Sequence, residues 1–401
     1  MIRNRPILIA GAGIAGLTTA LALARDGHAV RVFERAPHLT EVGAGLQLSP
    51  NATRVLASVG VSGRLLAAAT APESIVLRRG QAMGKLTEVP LGARAEARWG
   101  APYLVIHRAD LHAALTTAAR QQPLVEIVTG ANVADYAAHP RGVTLSVDRD
   151  GRVDEIVGGL LIAADGVWSR LRGRLPGAGT SAFTGHVAWR ATIPADGDLA
   201  QSLGDLLSPA HVTAFMAPDV HLVAYPISAG RRINLVGLMR GADYGQKWAA
   251  SADPSPFIAV MDKASPALGR MAREAGPWVA WALHAVGPGA WQDGKAVALI
   301  GDAAHATTPF AAQGAAMAIE DAGVLARAMR EANGDPAVAL PRWEAERKPR
   351  VARVVKRGAF NHFTWHARGP VALARDAVLW LRKPERLMAD FDWLYGWDAE
   401  T

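Results

Sequence analysis

The sequence predicts a mixed α/β fold, in which a parallel sheet covered by helices is interleaved with a mostly antiparallel sheet and followed by a helical C-terminal region. Three observations support this prediction. An apolar run, a glycine-rich turn and a helical segment open the chain. The middle of the chain, from about residue 180 to 270, alternates apolar and polar residues between turns. Beyond residue 300 the pattern is mainly helical, as in Gly314–Met329.

The first elements form one βαβ unit. A short strand is predicted over Ile7–Ala10, and it ends in the glycine-rich turn Gly11–Gly16. Leu17–Arg25 follows and is rich in Ala and Leu, which favours a helix that Asp26-Gly27 closes. The β-branched run Ala29–Phe33 predicts the second strand, which would lie parallel to the first.

The remaining elements follow from the same periodicities. Ser49-Pro50 opens a helix that we expect to end near Ser58, and Asp110–Arg120 is predicted as a helix with Asp110 as its N-cap. An antiparallel sheet with one solvated face accounts for the alternation in the middle region. Short apolar runs predict strands within Val125–Ala164 and over Thr213–Met216, His221–Tyr225, Ile233–Met239 and Ala296–Ile300.

Length and composition limit the possible functions. The chain has 401 residues, enough for two or three domains with a sizeable core. It contains no cysteine, which excludes disulfide scaffolds, thiolate metal sites and cysteine nucleophiles. The net charge of +7 favours anionic partners, among which nucleic acid, an acidic membrane surface and small anionic cofactors stay open. No run approaches about 20 continuous apolar residues and no signal peptide is evident, so we expect a cytoplasmic protein without a membrane span.

The glycine-rich turn has the spacing of a dinucleotide-binding site. Gly11 permits the tight turn, Gly13 lets the backbone approach a pyrophosphate, and Gly16 lets helix and strand pack closely. The helix N-terminus would then face the phosphates, where its dipole favours negative charge. Glu34 lies 18 residues after Gly16, at the end of the second strand, where it can accept hydrogen bonds from a ribose. The turn alone does not decide between NAD and FAD.

Two further motifs place an aspartate and a glycine directly after an apolar strand, at the sheet edge where α/β proteins bind ligands. The first runs Asp165-Gly166-Val167-Trp168-Ser169-Arg170-Leu171-Arg172. The second is Gly301-Asp302-Ala303-Ala304-His305, which continues to Pro309, Gly314 and Asp321-Ala322. Both aspartates could instead cap the helices that follow them.

With these three motifs in this order, the sequence resembles the single-component FAD-dependent aromatic hydroxylases, also called group A flavoprotein monooxygenases. Within them it is most similar to the branch of salicylate hydroxylase and 3-hydroxybenzoate 6-hydroxylase. The stretches Gly43–Asn51, His107–Leu111 and Asp392–Asp398 add to a likeness that spans essentially the whole chain. The resemblance implies a Rossmann-type domain that binds FAD.

The resemblance also implies a domain arrangement. The FAD-binding domain would be discontinuous, over residues 1–70, 101–178 and 271–335. A substrate-binding β-sheet domain would occupy residues 71–100 and 179–270. Residues 336–401 would form the C-terminal helical region.

The FAD-contacting residues are carried over from the same resemblance. Asp302 would contact the ribityl chain, and Asp165 would serve FAD or NAD(P)H. Arg108 would lie near the phosphates, unless it is a surface ion-pair partner, and the loop Gly43–Gly45 is where the flavin ring would move. The full expected set is Gly11, Gly13, Ala15, Gly16, Glu34, Arg35, Gly45, Leu46, Arg108, Asp165, Gly301, Asp302, Pro309 and Gly314.

The implied reaction uses NADH or NADPH and O2, and a flavin hydroperoxide delivers an oxygen atom to a phenolic ring, with a hydroxybenzoate- or salicylate-like substrate expected. Such an attack requires loss of the phenolic proton, which calls for a general base such as His. The stretch His221–Pro226 is similar to the strand on which this branch carries a base His and, four residues later, a Tyr.

Residues i and i+4 of a strand share a face, so His221 and Tyr225 would point into one pocket. We expect His221 to be the base or a proton relay and Tyr225 to be its hydrogen-bond partner, although both could be ordinary core residues. Gln47 and Gln313 complete the expected substrate contacts.

Several alternatives stay open from sequence alone. The same flavin chemistry could hydroxylate or epoxidise an N-heterocycle such as a hydroxynicotinate, or a polyketide, and a flavin-dependent oxidase or dehydrogenase is a further possibility. We interpret His305 as shaping the flavin loop, with His211 as a second candidate base. No metal-ligand spacing occurs, so we expect no metal. The basic segment Pro341–Gly358 is predicted to be a solvated helix face and not a nucleic-acid site, and we expect a monomer or homodimer.

Overall fold

A computed structural model of the chain describes residues 5–39, 44–246 and 250–400, and it confirms the mixed α/β fold class. Its strands are β1 (Ile7–Ala10), β2 (Val30–Glu34), β3 (Gly45–Leu48), β4 (Ser74–Arg79), β5 (Lys85–Pro90), β6 (Leu104–His107), β7 (Val125–Thr129), β8 (Asn132–His139), β9 (Gly142–Arg149), β10 (Arg152–Gly158), β11 (Leu160–Ala163), β12 (Ser181–Pro194), β13 (His211–Met216), β14 (Val220–Ile227), β15 (Arg232–Arg240), β16 (Val279–Val286) and β17 (Val297–Leu299).

The helices follow the same numbering along the chain. They are α1 (Ile14–Arg25), α2 (Pro50–Ser58), α3 (Ser62–Ala68), α4 (Gly92–Trp99), α5 (Arg108–Gln121), α6 (Asp198–Leu203), α7 (Ser255–Ala264), α8 (Pro266–Glu274), α9 (Asp302–His305), α10 (Gly314–Glu331), α11 (Pro336–Trp365), α12 (Gly369–Leu381), α13 (Pro384–Ala389) and α14 (Asp392–Tyr395). No helix in the described ranges is long and apolar enough to cross a membrane.

A five-stranded parallel sheet is built around the N-terminal βαβ unit. Its order is β17-β11-β1-β2-β7, and each neighbouring pair is parallel. Strands β1, β11 and β17 are buried along their whole length, as expected for parallel strands covered on both faces. The glycine turn and the two aspartate motifs all follow strands of this sheet, so they meet at its carboxyl edge.

A seven-stranded sheet lies beside the parallel one. Its order is β16-β12-β15-β14-β13-β4-β5, and every pair is antiparallel except β13 with β4. Helices α7 and α8 pack on one face, where Phe257 and Met261 join a second hydrophobic core. The other face borders the cavity described below. Strand β16 belongs to this sheet although it follows residue 270. The sheet therefore extends beyond the end that was predicted for the substrate-binding domain.

The predicted N-cap of helix α5 is wrong. Strand β6 runs directly into the helix, so helical geometry already begins at Arg108. The Nδ1 atom of His107 caps it by accepting a hydrogen bond from the amide of Ala109 at 3.2 Å. Asp110 therefore lies inside the first turn, where its charge still favours the helix N-terminus.

The predicted solvated face of the basic segment is confirmed only in part, since Arg353 and Lys356 are exposed whereas Arg350 is buried. Arg350, Arg353 and Arg357 share one face of helix α11, and aromatic rings of the C-terminal segment contact all three. The guanidinium of Arg353 lies 3.9 Å from the ring centroid of Trp393, and that of Arg350 lies 4.5 Å from that of Trp397. Aromatic rings therefore contact these cations, and Arg350 also pairs with the buried carboxylate of Glu320. Charge counting along the segment does not reveal these contacts.

Candidate active site

The glycine turn between β1 and α1 has the geometry that close approach of a phosphate requires. Gly11 has a φ of +106°, and a Cβ there would lie 2.5 Å from the carbonyl oxygen of Ala164. A Cβ on Gly16 would collide with the carbonyl oxygen of Gly11. Gly13 has no atom within 4 Å of its Cβ position, so this backbone faces open space. The backbone at Gly13 is thus accessible to a ligand.

Glu34 lies at the same edge, at the end of β2. Its carboxylate accepts hydrogen bonds from the amides of Ala12 and Ala36, each at 2.9 Å. The carboxylate is thereby fixed beside the glycine turn, where a ribose hydroxyl could reach it. Arg35, the next residue, is exposed.

Asp165 follows β11, and within the described residues only one of its two carboxylate oxygens accepts a hydrogen bond. Its Oδ2 atom accepts a hydrogen bond from the amide of Arg170 at 3.1 Å, whereas Oδ1 is buried without a hydrogen-bond partner. Burial raises the pKa of Asp165, although Ser169, backbone amides and Arg172 favour its charged form. Arg172 links this motif to the other aspartate motif by donating to the carbonyl oxygen of Ala303 at 3.0 Å.

The second aspartate motif is anchored by buried charges. Asp302 begins helix α9 and lines the cavity, whereas His305 points into the core, where its Nε2 atom lies 2.5 Å from Oδ2 of Asp321. Asp321 also accepts from the amide of Gly301 at 3.0 Å and from Nε of Arg347 at 2.7 Å. Burial opposes the charge on Asp321, but His305 and Arg347 outweigh it and lower the pKa of Asp321 to about 2. His305 therefore shapes this loop.

One cavity of about 380 Å³ extends from these motifs to the seven-stranded sheet. Its volume lies within the range of small-molecule sites, roughly 300–1,000 Å³. The cavity brings together residues far apart in sequence. Those predicted from sequence that line it are Gly13, Ala15, Gly45, Leu46, Gln47, Arg108, His221, Tyr225, Asp302, Pro309 and Gly314.

His221 and Tyr225 both face this cavity from strand β14, as the strand periodicity predicts. Tyr225 packs against the start of β3, since a Cβ on Gly45 would lie 2.5 Å from the Tyr225 ring. Residue 43, the first of the predicted flavin loop, lies outside the described residues. Gln47 also lines the cavity and accepts a hydrogen bond from the hydroxyl of Tyr103 at 2.6 Å.

His221 is only 1% exposed and lies among aromatic rings. Phe310 and Trp365 have ring centroids 5.6 and 5.1 Å from the imidazole centroid. Its Nδ1 atom lies 2.9 Å from Nε2 of His366. Burial first, and then the neighbouring histidines, lower the pKa of His221 well below its usual value. The imidazole is therefore neutral at pH 7 and can accept a proton.

The structure does not support a substrate contact for Gln313. This side chain is 2% exposed and is not among the residues that line the cavity. Its Nε2 atom donates to Oγ of Ser49 at 3.0 Å, and its Oε1 atom accepts from Nδ2 of Asn51 at 3.3 Å. The alternative base His211 does not line the cavity either; its Nδ1 atom lies 2.9 Å from Oγ of Ser74.

Arg190 is a cavity residue that the sequence analysis missed. It lies on β12 and stacks over Trp281, with its guanidinium carbon 4.7 Å from the ring centroid. Its Nε atom is buried without a hydrogen-bond partner, and it forms no ion pair within the described ranges. Burial lowers the pKa of Arg190, yet a guanidinium stays charged in proteins. A charged residue in the apolar run Val187–Ala191 was the available signal.

These features fit an extended anionic dinucleotide. The turn at Gly13 supplies backbone that faces open space, Glu34 supplies a carboxylate for a ribose, and Asp165 keeps a buried acceptor atom without a partner. Asp302 and Arg108 continue the line toward the cavity. Within the described residues no group of His, Asp and Glu could hold a metal ion. Fold and site thus define an enzyme that binds a dinucleotide beside an apolar substrate cavity.

Comparisons with known proteins agree with this class. The family model of the FAD binding domain matches residues 4–358. The chain is 36% identical over 396 residues to 3-hydroxybenzoate 6-hydroxylase 1 of Aquipseudomonas alcaligenes, covering 97% of each chain. It is 34% identical over 408 residues to a 3-amino-4-hydroxybenzoate 2-monooxygenase of Streptomyces platensis, covering 99% of this chain and 97% of that protein.

A solved structure gives the same picture. HpxO of Klebsiella pneumoniae, complexed with FAD and uric acid, has a TM-score of 0.79 and 25% identity, over 97% of this chain and 96% of that chain. The chain belongs to the family of FAD-dependent aromatic hydroxylases. The predicted family, the class of enzyme and FAD as cofactor are thereby confirmed, with NADH or NADPH as co-substrate.

Proposed function

We propose that this protein hydroxylates a hydroxybenzoate-like phenolic acid, with FAD as bound cofactor and NAD(P)H and O2 as co-substrates. One observation carries the proposal. Beside the FAD cleft, a single cavity contains a neutral buried histidine (His221), a tyrosine (Tyr225) and an arginine without an ion-pair partner in the described ranges (Arg190). These groups match a phenol and a carboxylate on one ring.

The cofactor and the protein have separate tasks. FAD, when bound, supplies the electron transfer and the activation of O2. Gly11, Gly13 and Gly16 would hold its pyrophosphate, Glu34 its ribose and Asp302 its ribityl chain. The protein otherwise binds and orients the substrate, excludes water and moves protons.

His221 is proposed to remove the phenolic proton. An electron-rich phenolate is the ring form that an electrophilic oxygen attacks, so the proton must leave in or near the transition state. Nδ1 of His221 is engaged with His366, which leaves Nε2 to accept the proton. Burial raises the pKa of Tyr225, so its hydroxyl stays protonated and can donate a hydrogen bond to the substrate oxygen.

Arg190 is proposed to bind the substrate carboxylate. Its guanidinium lies in the cavity wall without a counter-ion in the described ranges, and an anionic substrate would supply one. A charged pair in an apolar cavity gives orientation as well as affinity. Arg108 also lines the cavity and lowers the pKa of Arg190 further, so a negative charge beside Arg190 is favoured.

The test measures NADH and NADPH oxidation, O2 uptake and product identity for a panel of hydroxybenzoates, salicylate and hydroxynicotinates. A hydroxybenzoate should stimulate NAD(P)H oxidation and yield a hydroxylated product in step with O2 uptake. A hydroxynicotinate as the one coupled substrate would instead favour the heterocycle alternative. Protein purified without flavin and without FAD affinity would refute both.

The nicotinamide cofactor, the oligomeric state and the cellular location can each be tested separately. The same assay shows whether the protein oxidises NADH or NADPH. A monomer or homodimer is proposed for the assembly, which light scattering of the FAD-loaded protein would test. A cytoplasmic location is proposed, and fractionation of cells that express the protein would test it.

A further inference from the structure

We propose that His366, on the C-terminal helical region, is a positioning and relay residue that carries the substrate's phenolic proton from His221 to solvent. The inference rests on the proposed function, because it concerns the proton that His221 removes. It assigns a role to a residue outside both sheets, 145 positions from His221 along the chain.

The contacts of His221 leave one polar route for a proton. Within the described ranges its single hydrogen-bond partner is His366, at 2.9 Å between Nδ1 and Nε2. The aromatic rings of Phe310 and Trp365 pack against the imidazole. His221 itself is almost fully buried, so direct transfer from its ring to bulk water is blocked.

His366 connects this buried ring to the surface. It caps the C-terminal end of α11 and is half-buried. His362, one turn earlier, and His186 on β12 are partly exposed as well. Ring centroids of His362 and His366 lie 4.8 Å apart, and those of His186 and His362 lie 4.9 Å apart. All three outer imidazoles are therefore more exposed than that of His221.

Burial, and then neighbouring charges, lower the pKa of each outer imidazole and keep it neutral. Burial, and then His362, His186 and Arg240, lower the pKa of His366 to about 4, with Asp219 acting in the opposite direction. A proton that reaches this pair is consequently not retained and passes on to water. Neutral imidazoles suit a relay, since each offers one donor and one acceptor nitrogen.

The proton moves in three steps, each of which breaks one bond to hydrogen and forms another. The phenol's O–H bond breaks, its electron pair stays on oxygen, and the proton binds Nε2 of His221. The Nδ1–H bond of His221 breaks as that proton binds Nε2 of His366, and the proton on Nδ1 of His366 passes to water. Return of a proton along the same path to the product's oxygen restores both tautomers.

The experiment compares the FAD-loaded parent with His366→Gln on 3-hydroxybenzoate and ring-fluorinated 3-hydroxybenzoates of stepwise lower phenol pKa. Glutamine can still accept from Nδ1 of His221 but cannot pass a proton on. We expect hydroxylation of 3-hydroxybenzoate to slow about tenfold or more, within the usual range for proton transfer by a positioned group. The defect should shrink toward parental rates as the phenol becomes acidic enough to ionise unaided.

His139→Gln is the matched control, because His139 is also a partly exposed histidine but does not line the cavity and lies beside Thr144 rather than His221. It should hydroxylate every substrate at close to the parental rate. A purely structural role for His366 would slow all substrates equally, and that result, or parental rates in His366→Gln, would overturn the relay.

If His366→Gln loses substrate binding, a second variant tests the relay. His366→Ala opens space at a partly exposed position, and added imidazole should restore the rate with 3-hydroxybenzoate. No response to imidazole would overturn the proposal. If the parent neither binds nor hydroxylates any phenolic acid of the panel described above, the proposed function fails. If the parent is active and the His366 variants are unaffected, the relay alone is refuted.

Discussion

Nε2 of His305 lies 2.5 Å from Oδ2 of Asp321, which ties the aspartate loop after β17 to helix α10. Arg347 binds the other carboxylate oxygen of Asp321 at 2.7 Å and also pairs with Glu320 at 2.5 Å. Four charged or polar groups from three helices thus hold the loop that carries Asp302. Breaking such a buried pair is costly, because the remaining charge is left without compensation.

Replacement of Asp321 by Asn should destabilise the protein in a pH-dependent way. The pKa of Asp321 is lowered to about 2 from 3.8, so the charged carboxylate stabilises the fold above about pH 4 and this contribution is lost as the pH falls toward 2. We expect a loss of roughly 3–5 kcal/mol near neutral pH. By pH 3 the gap between parent and Asp321→Asn should narrow by about 1 kcal/mol.

Denaturant unfolding of both proteins between pH 7 and pH 3 measures this gap. Asp335→Asn is the control, since Asp335 is an exposed N-cap and Asn caps equally well. A gap between parent and Asp321→Asn that stays constant with pH would contradict the assigned charge state.

Gly13→Ala should weaken FAD binding without disturbing the apoprotein. Its φ is −75° and its Cβ position is open, so alanine fits the fold, but the new methyl group would occupy the space of the pyrophosphate. We expect FAD affinity to fall by about tenfold or more, which corresponds to roughly 1.4 kcal/mol. Flavin fluorescence titration gives the dissociation constant.

Gly63→Ala supplies the matched change. Gly63 is an exposed position in α3 with no atom near its Cβ site, and alanine there should leave FAD affinity unchanged. Equal FAD affinity of Gly13→Ala and the parent would argue against a pyrophosphate at this turn.

Arg190→Gln should weaken binding of carboxylated substrates selectively. Loss of a charge-assisted hydrogen bond costs about 1.5–3 kcal/mol, or roughly 10- to 100-fold in the dissociation constant. A phenol that lacks the carboxylate should bind with nearly unchanged affinity. Spectral titration of the FAD-loaded protein measures the dissociation constants of both ligands. Arg232→Gln is the control, because Arg232 is exposed. A similar loss for both ligands would exclude a carboxylate contact.

His221→Ala should separate NAD(P)H oxidation from hydroxylation. FAD binding should persist, because His221 lies on the seven-stranded sheet and away from the glycine turn. Hydroxylation should fall about 100-fold or more, as expected on loss of a general base. Peroxide should take the place of product, and its yield per NAD(P)H is the measurement. Unchanged coupling in this variant would refute the role of His221.

Much of the fold was predictable because local pattern decides it. The tight turn from strand to helix requires glycine at position 11, where φ is positive. The short apolar runs of β1 and β11 are enough to predict buried strands. Strand periodicity likewise put His221 and Tyr225 on one face. Each of these inferences uses neighbours within a few positions.

The features that escaped prediction depend on distant contacts. The cap of α5 depends on how β6 enters the helix, and the burial of Arg350 depends on a C-terminal segment that folds back over α11. Gln313 was expected at the substrate, yet Ser49 and Asn51, far away in sequence, hold it in the core. His366 escaped notice because its partner lies on a distant strand.

The most direct test of the central claim is turnover of a hydroxybenzoate under dioxygen labelled with the heavy oxygen isotope, followed by mass spectrometry of the product. We expect one labelled oxygen atom in the new hydroxyl group of each product molecule, formed in proportion to NAD(P)H oxidised. A product without label, or NAD(P)H oxidation that yields peroxide alone with every phenolic acid tested, would contradict the assignment as an aromatic hydroxylase.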